Sequence, residues 1–206
     1  RGEDSEKWRG AKARGELPLW VADMDFRTAP AVAEALRRRV EHGVFGYAKA
    51  PQAYYDAIVG WFARRHDWQL RPEWILHTTG VIPALSAIIK ALTHPGDKVL
   101  VQTPVYNHFF ISIRNSGCET AESELLYRNG TYTADFDDLE RKAADPRVKL
   151  MLLCNPHNPA GRVWSPEELR RIGEICLHND VFIVADEIHC ELVMPGYRYT
   201  PFASQI

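Results

Sequence analysis

Apolar positions follow a helical spacing twice near the start of the chain. From residue 74 onward they fall into short runs separated by helical stretches. The first helix opens at Pro30, whose fixed φ suits a first turn. It carries Val32, Leu36 and Val40 along one side and stops at Gly43. A Gly46-Tyr47 turn leads to a second helix near Pro51, with Tyr54, Ile58, Trp61 and Phe62 on one face. Ahead of both lies an extended apolar stretch, residues 17–26.

The later pattern predicts strands over residues 74–78, 98–102, 119–125, 149–154 and 181–185. Helices are predicted over 81–92, 106–115, 137–144 and 166–178, and a turn at Arg128-Asn129-Gly130. Several of these strands are apolar on successive residues, so neither face is left to water. Strands of that kind alternating with helices imply a mostly parallel sheet covered on both sides, a three-layer α/β sandwich.

Composition narrows the partners. The chain has 206 residues, 46% hydrophobic and 25% charged, with a net charge of −2, so no broad basic face invites nucleic acid or anionic lipid. No apolar run is long enough to span a bilayer, and no signal peptide is evident. Its four cysteines form no C-x-x-C pair, and Cys154 and Cys176 lie in apolar runs. The expectation is a cytoplasmic protein that binds neither membrane nor nucleic acid. With Arg1 at one end and no terminal helix before Ile206, the sequence is expected to be a segment of a longer protein.

Ligands of parallel sheets bind beyond the carboxyl ends of the strands, so the residues there carry the chemistry. These are Gly80-Val81-Ile82, then Thr103 to Tyr106, then Asn155-Pro156-His157-Asn158-Pro159-Ala160-Gly161, then Asp186-Glu187-Ile188-His189. Each has a plain structural explanation: Gly80 relieves a tight turn, the Asn-Pro pairs form turns, Asp186 caps a helix, and His189 is a satisfied core histidine. Together they suit one task. Amides opening a helix after Gly80 suit a phosphate. Tyr106 offers a face to a planar ring. Asp186, leaving a wholly apolar strand, needs a cation such as a protonated pyridine nitrogen. Asn158 and His189 can donate to an oxygen on the far side of that ring. A metal on Asp186, Glu187, His189 and Glu191 is disfavoured, because neighbouring positions point apart.

The run from Asn155 to Gly161 followed by Asp186 to His189 resembles the class I/II aminotransferase superfamily, fold-type I enzymes that use pyridoxal 5′-phosphate (PLP). Trp20 to Phe26, Gly43 to Tyr47, Gln102 to Tyr106 and Gly161 to Trp164 resemble its carbon–sulfur β-lyase branch, typified by cystathionine β-lyases of the MalY/PatB type. The resemblance implies an arm and small-domain segment in 1–42 and the amino-terminal part of a large PLP-binding domain in 43–206. It implies Asp186 on the pyridinium nitrogen, and Asn158 and His189 on the ring oxygen. Tyr106 would stack on the ring, and Gly80, Val81 and Ile82 would hold the phosphate. Tyr47 would reach a neighbouring subunit's cofactor, which implies a homodimer, and backbone near Ala22 would border the carboxylate of a sulfur-containing amino acid. The family's Schiff-base lysine lies beyond the Asp-Glu-Ile-His motif, and no lysine follows Lys149 here, so the catalytic residue is left unassigned and these residues alone are expected to be inactive. An aminotransferase of the same fold, or a non-catalytic regulator, are the alternatives.

Overall fold

The computed structural model describes residues 5–205. They divide into two compact units, one ending at Lys49 and one beginning at Ala50.

In the first unit, α1 (Ala11–Arg14) is a single turn and α2 (Pro30–His42) is the helix that Pro30 announces. Gly43 ends α2 at φ 70°, a left-handed conformation that glycine takes without strain, and its N–H returns to the Arg39 carbonyl. No residue of α2 is buried, so Val32, Leu36 and Val40 form an exposed apolar stripe. Residues 17–26 form bends rather than a strand. Side chains hold them instead: Lys7 Nζ donates to the Asp23 carbonyl at 2.7 Å and to Asp25 at 3.1 Å, while Trp8 Nε1 donates to Asp25 at 2.6 Å.

The second unit starts with α3 (Gln52–His66), a 3-10 turn at Pro72–Trp74, and α4 (Val81–Leu92). There follow β1 (Lys98–Thr103), α5 (Asn107–Asn115), β2 (Glu119–Glu124), β3 (Leu126–Arg128) and β4 (Thr131–Thr133). Then come α6 (Phe136–Ala143), β5 (Val148–Cys154), α7 (Pro166–His178), β6 (Phe182–Asp186) and a last 3-10 turn at Phe202–Ser204. The main sheet runs in the order β2-β1-β5-β6 with every pair parallel.

Side-chain alternation along β1 and β5 builds two cores. Val99, Val101, Leu150 and Leu152 point to the face covered by α4 and α5, among Leu85, Ile89 and Phe109. Leu100, Met151 and Leu153 point to the face covered by α6 and α7, among Leu139, Leu169 and Ile172. This is the three-layer sandwich the sequence implies. The central strands bury runs of consecutive residues, 99–102 and 150–154, whereas the edge strands β2 and β6 leave alternate or leading residues in water.

One expectation is corrected. Residues 74–78 are not a strand. Pro72 nucleates a 3-10 turn, with Trp74 N–H on the Arg71 carbonyl at 3.0 Å. A strand also needs a neighbour's hydrogen-bonding groups, and no described strand runs alongside, leaving Leu76 87% exposed. The expected turn at Asn129-Gly130 proves to close a hairpin, β3 against β4. Both turn residues have positive φ, 50° and 79°, the geometry whose twist matches paired strands.

Candidate functional site

From β1 the chain crosses by α5 to β2, on one side. It later returns by way of β5 on the other side of β1. The order therefore reverses between β1 and β5, and the loops leaving these two strands separate to open a crevice. Thr103 to Tyr106 leaves β1, and Asn155 to Gly161 leaves β5. The His157 ring Nε2 meets the Pro104 carbonyl at 2.9 Å and ties the two loops together.

Asp186 closes β6, in register with Cys154, and its carbonyl accepts the Asn155 N–H at 3.0 Å. Its carboxyl is buried and takes one N–H, from Ile188 at 3.2 Å. Burial pushes its pKa above the ordinary 3.8, and the Ile188 amide and His189 only partly oppose this. No lysine or arginine among the described residues forms an ion pair with it.

The loop after β5 is held from within. Cys154 Sγ accepts the Asn158 N–H at 3.3 Å and sits 3.3 Å from the Pro156 carbonyl, and burial pushes this thiol's pKa up to about 11. Trp164 Nε1 donates to the Cys154 carbonyl at 2.9 Å, and Arg162 stacks over the Trp164 ring while pairing with Glu168. Asn158 and His189 line one cavity of about 660 Å³, together with Tyr132, Arg162 and Tyr197.

Gly80 caps α4 with an extended backbone, φ 159° and ψ 170°, and no side chain caps the helix. Among the described residues no acceptor meets the N–H groups of Val81 and Ile82, so this end of a twelve-residue helix presents unpaired donors. A Cβ on Gly80 would come no closer than 3.6 Å to Pro83 Cδ, so space alone does not require glycine here. Tyr106 is the residue before α5, not its first turn, and its half-buried ring stacks on His108 with centroids 4.9 Å apart. Ala22 and Tyr47 lie in the first unit, and both are exposed there.

Three residues inside the strand-end motifs were given no binding role of their own by the sequence. Asn155 is fully buried and donates from Nδ2 to Glu187 Oε1 at 2.8 Å and to the Thr200 carbonyl at 3.0 Å. Glu187 Oε1 also accepts the Phe202 N–H at 2.9 Å, and burial pushes the Glu187 carboxyl's pKa up. His157 is buried, and burial pushes its pKa down. The available signal was two carboxyls leaving one apolar strand, because alternation sends neighbours to opposite faces. Asp186 stays with the crevice, and Glu187 turns to the 200–202 segment. Glu191 turns elsewhere again, to Trp61, Arg65 and His66.

The residues present fit a phosphorylated, cationic aromatic group. Beside the unpaired amides and the uncompensated Asp186, the buried atoms Gln102 Oε1, Asn155 Oδ1 and His157 Nδ1 have no protein partner. A larger cavity of about 880 Å³ beyond β2 suits such a group poorly, since Glu122, Glu124, Asp135 and Asp138 line it and would repel phosphate.

The family described as aminotransferase class I and II matches residues 15–204. Cystathionine beta-lyase PatB of Bacillus subtilis is 50% identical over 188 residues, 91% of this chain and 49% of that protein. Protein MalY of Escherichia coli is 33% identical over 189 residues, 91% of this chain and 48% of that protein. The crystal structure of cystalysin from Treponema denticola, which contains pyridoxal 5′-phosphate, superposes with a TM-score of 0.93 at 40% identity. That match covers 99% of this chain and 53% of cystalysin. The chain thus spans about half the length of the relatives it matches.

Proposed function

The chain belongs to the class I and II aminotransferase family, and from that premise we propose that the protein is a PLP-dependent carbon–sulfur β-lyase. Its substrate is cystathionine or a related cysteine S-conjugate, and its products are a thiol, pyruvate and ammonia. The carrying observation is Asp186, a buried carboxyl raised in pKa at the end of β6, with no lysine or arginine paired to it among the described residues. The lyase reading within the family rests on similarity to cystathionine beta-lyase PatB.

Bound PLP supplies an electron sink that weakens the bonds at the substrate Cα. The chain's own groups then have distinct tasks. Asp186 keeps the ring nitrogen protonated, and the cation relieves the penalty that burial places on the carboxylate. Asn158 and His189 would donate to the ring hydroxyl oxygen. Tyr106 covers one face, and the amides at Gly80, Val81 and Ile82 hold the phosphate at the start of α4. Backbone near Ala22 borders the substrate carboxylate, and Tyr47 serves the partner's site in a homodimer. Lys149, the last lysine in the sequence, is exposed at the opposite end of the sheet, so we do not assign it the role of base at Cα.

In domain terms, residues 43–206 contribute to the large cofactor-binding domain and 1–42 to an arm and small-domain segment. Among the described residues no helix is long and apolar enough to cross a membrane. The four unpaired cysteines suit the reducing cytoplasm, where we place the enzyme. The test is to incubate the whole, PLP-loaded protein with cystathionine. Pyruvate and thiol released without any 2-oxo acid are expected. A reaction that proceeds only when a 2-oxo acid is added would overturn the lyase and assign an aminotransferase.

A further inference from the structure

Outside the crevice, three metal-ligating side chains meet where the last turn of α3 faces the turn after β6. One ligand atom each from His66, Cys190 and Glu191 lies within 4.8 Å of the others. His66 ends α3 with its side chain only 7% exposed, and its Nε2 is 2.6 Å from Glu191 Oε1. Trp61, one turn earlier, donates Nε1 to the same oxygen at 2.5 Å, and Arg65 lies 3.4 Å from Oε2. The carboxylate is therefore oriented from its outer side, as are the ligands of metal centres by their outer partners. Cys190 is partly accessible, whereas Cys118, Cys154 and Cys176 are buried.

We propose that His66, Cys190 and Glu191 form a Zn2+ site with a fourth position left to water. Imidazole, thiolate and carboxylate together favour a borderline-soft ion over calcium or magnesium, and the two anionic ligands balance its charge. Tetrahedral ligands at roughly 2.0–2.3 Å from zinc sit about 3.3–3.8 Å apart. Cys190 therefore moves inward, and His66 and Glu191 separate to admit the ion between them. Binding exchanges the Cys190 thiol proton for the metal, leaving a zinc-bound thiolate and one released proton. Trp61 and Arg65 stay on Glu191 as outer partners. Because the same turn carries His189, occupancy anchors the cavity's His189 wall to α3. The site does not depend on the lyase reading.

The competing structure is a metal-free clamp made only of the Trp61–Glu191–His66 hydrogen bonds. Zn2+ binding to the whole protein, measured against a chromophoric chelator after metal is stripped, separates the two. One equivalent bound is expected. C190S and H66N are each expected to weaken binding by more than about 100-fold, beyond the loss usual for an outer partner. No stoichiometric binding, or C190S binding as tightly as the unaltered protein, overturns the site. Should C190S fail to fold by circular dichroism, alkylation of Cys190 in the unaltered protein decides. Protection by Zn2+, mapped by mass spectrometry, supports the site, and equal alkylation with and without Zn2+ sinks it.

Discussion

Placing Asp186 at the buried end of β6 loads the cofactor-free protein with a charge it would fold better without. Because its folded pKa lies above the ordinary 3.8, the folded state holds its proton more tightly than the unfolded state. The contribution of Asp186 to stability is therefore greatest below that ordinary value and is lost as pH rises through the raised folded pKa. The full penalty remains at neutral pH. Glu187 has the same sign, because burial raises it too. Asp186→Asn removes one of the two penalties while keeping the side chain's shape. At pH 7 the cofactor-free variant is expected to melt at a higher temperature than the unaltered protein, with a shallower fall in Tm between acid and neutral pH. Its affinity for PLP is expected to drop by about 10- to 100-fold, the worth of a hydrogen bond to a charged group. Calorimetric melts with and without PLP check both halves. A variant that loses stability without PLP, or binds PLP as before, contradicts the assignment of Asp186 as a functional residue held at a structural cost.

Among the elements, α7 shows how the loop that carries Asn158 is kept in place. Ser165 Oγ accepts the Glu168 N–H at 3.2 Å, and Glu168 Oε2 accepts the Ser165 N–H at 2.9 Å, a reciprocal cap. Glu168 also pairs with Arg162, whose Nη1 donates to the Tyr132 carbonyl at 2.6 Å, so one carboxylate serves both helix and loop. Ser165→Ala is expected to cost about 1 kcal/mol in urea unfolding. Glu168→Ala is expected to cost about 2–3 kcal/mol, because a charge-assisted pair is lost with the cap. Equal costs would show that Arg162 contributes nothing. The start of α7 was legible because Pro166 and the run of apolar positions mark it locally, and β1 and β5 were legible because central strands must be apolar on both faces. Residues 74–78 have the same apolar character but no strand beside them, and pairing is a property of the partner rather than of the segment. The strands β3 and β4 are three residues each and mostly exposed, so only their turn left a signal. In the site, Asp186, Asn158 and His189 were legible as polar residues at the ends of apolar strands. The roles of Asn155 and Glu187 were not, since each follows from the other across 32 positions. The meeting of His66 with Glu191 spans 125 positions and likewise leaves no local pattern.

Across the whole molecule, the second unit closes two cores around one sheet, while large apolar surfaces remain in water in both units. In the first unit Trp20, Phe26, Leu36 and Val40 are all more than half exposed, and in the second Phe182 at the start of β6 is 57% exposed. Fully burying one such side chain is worth about 1.5–3 kcal/mol, so several together strongly favour association. Large exposed apolar surfaces mark faces that another chain or segment covers. The proposed homodimer, with Tyr47 contributing to the partner's site, accounts for some of this surface, and Tyr47 is itself fully exposed. The 206-residue chain expressed by itself is therefore expected to self-associate at micromolar concentration and to enhance the fluorescence of a hydrophobic dye such as ANS. The whole PLP-loaded protein is expected to sediment as a dimer with little dye binding. Trp20→Ser together with Phe26→Ser in the isolated chain is expected to reduce both signals, since two of the largest exposed apolar side chains in the first unit are removed. A monomeric, dye-silent isolated chain would show that these surfaces are tolerated in water and would remove the physical basis for a dimer drawn from exposure.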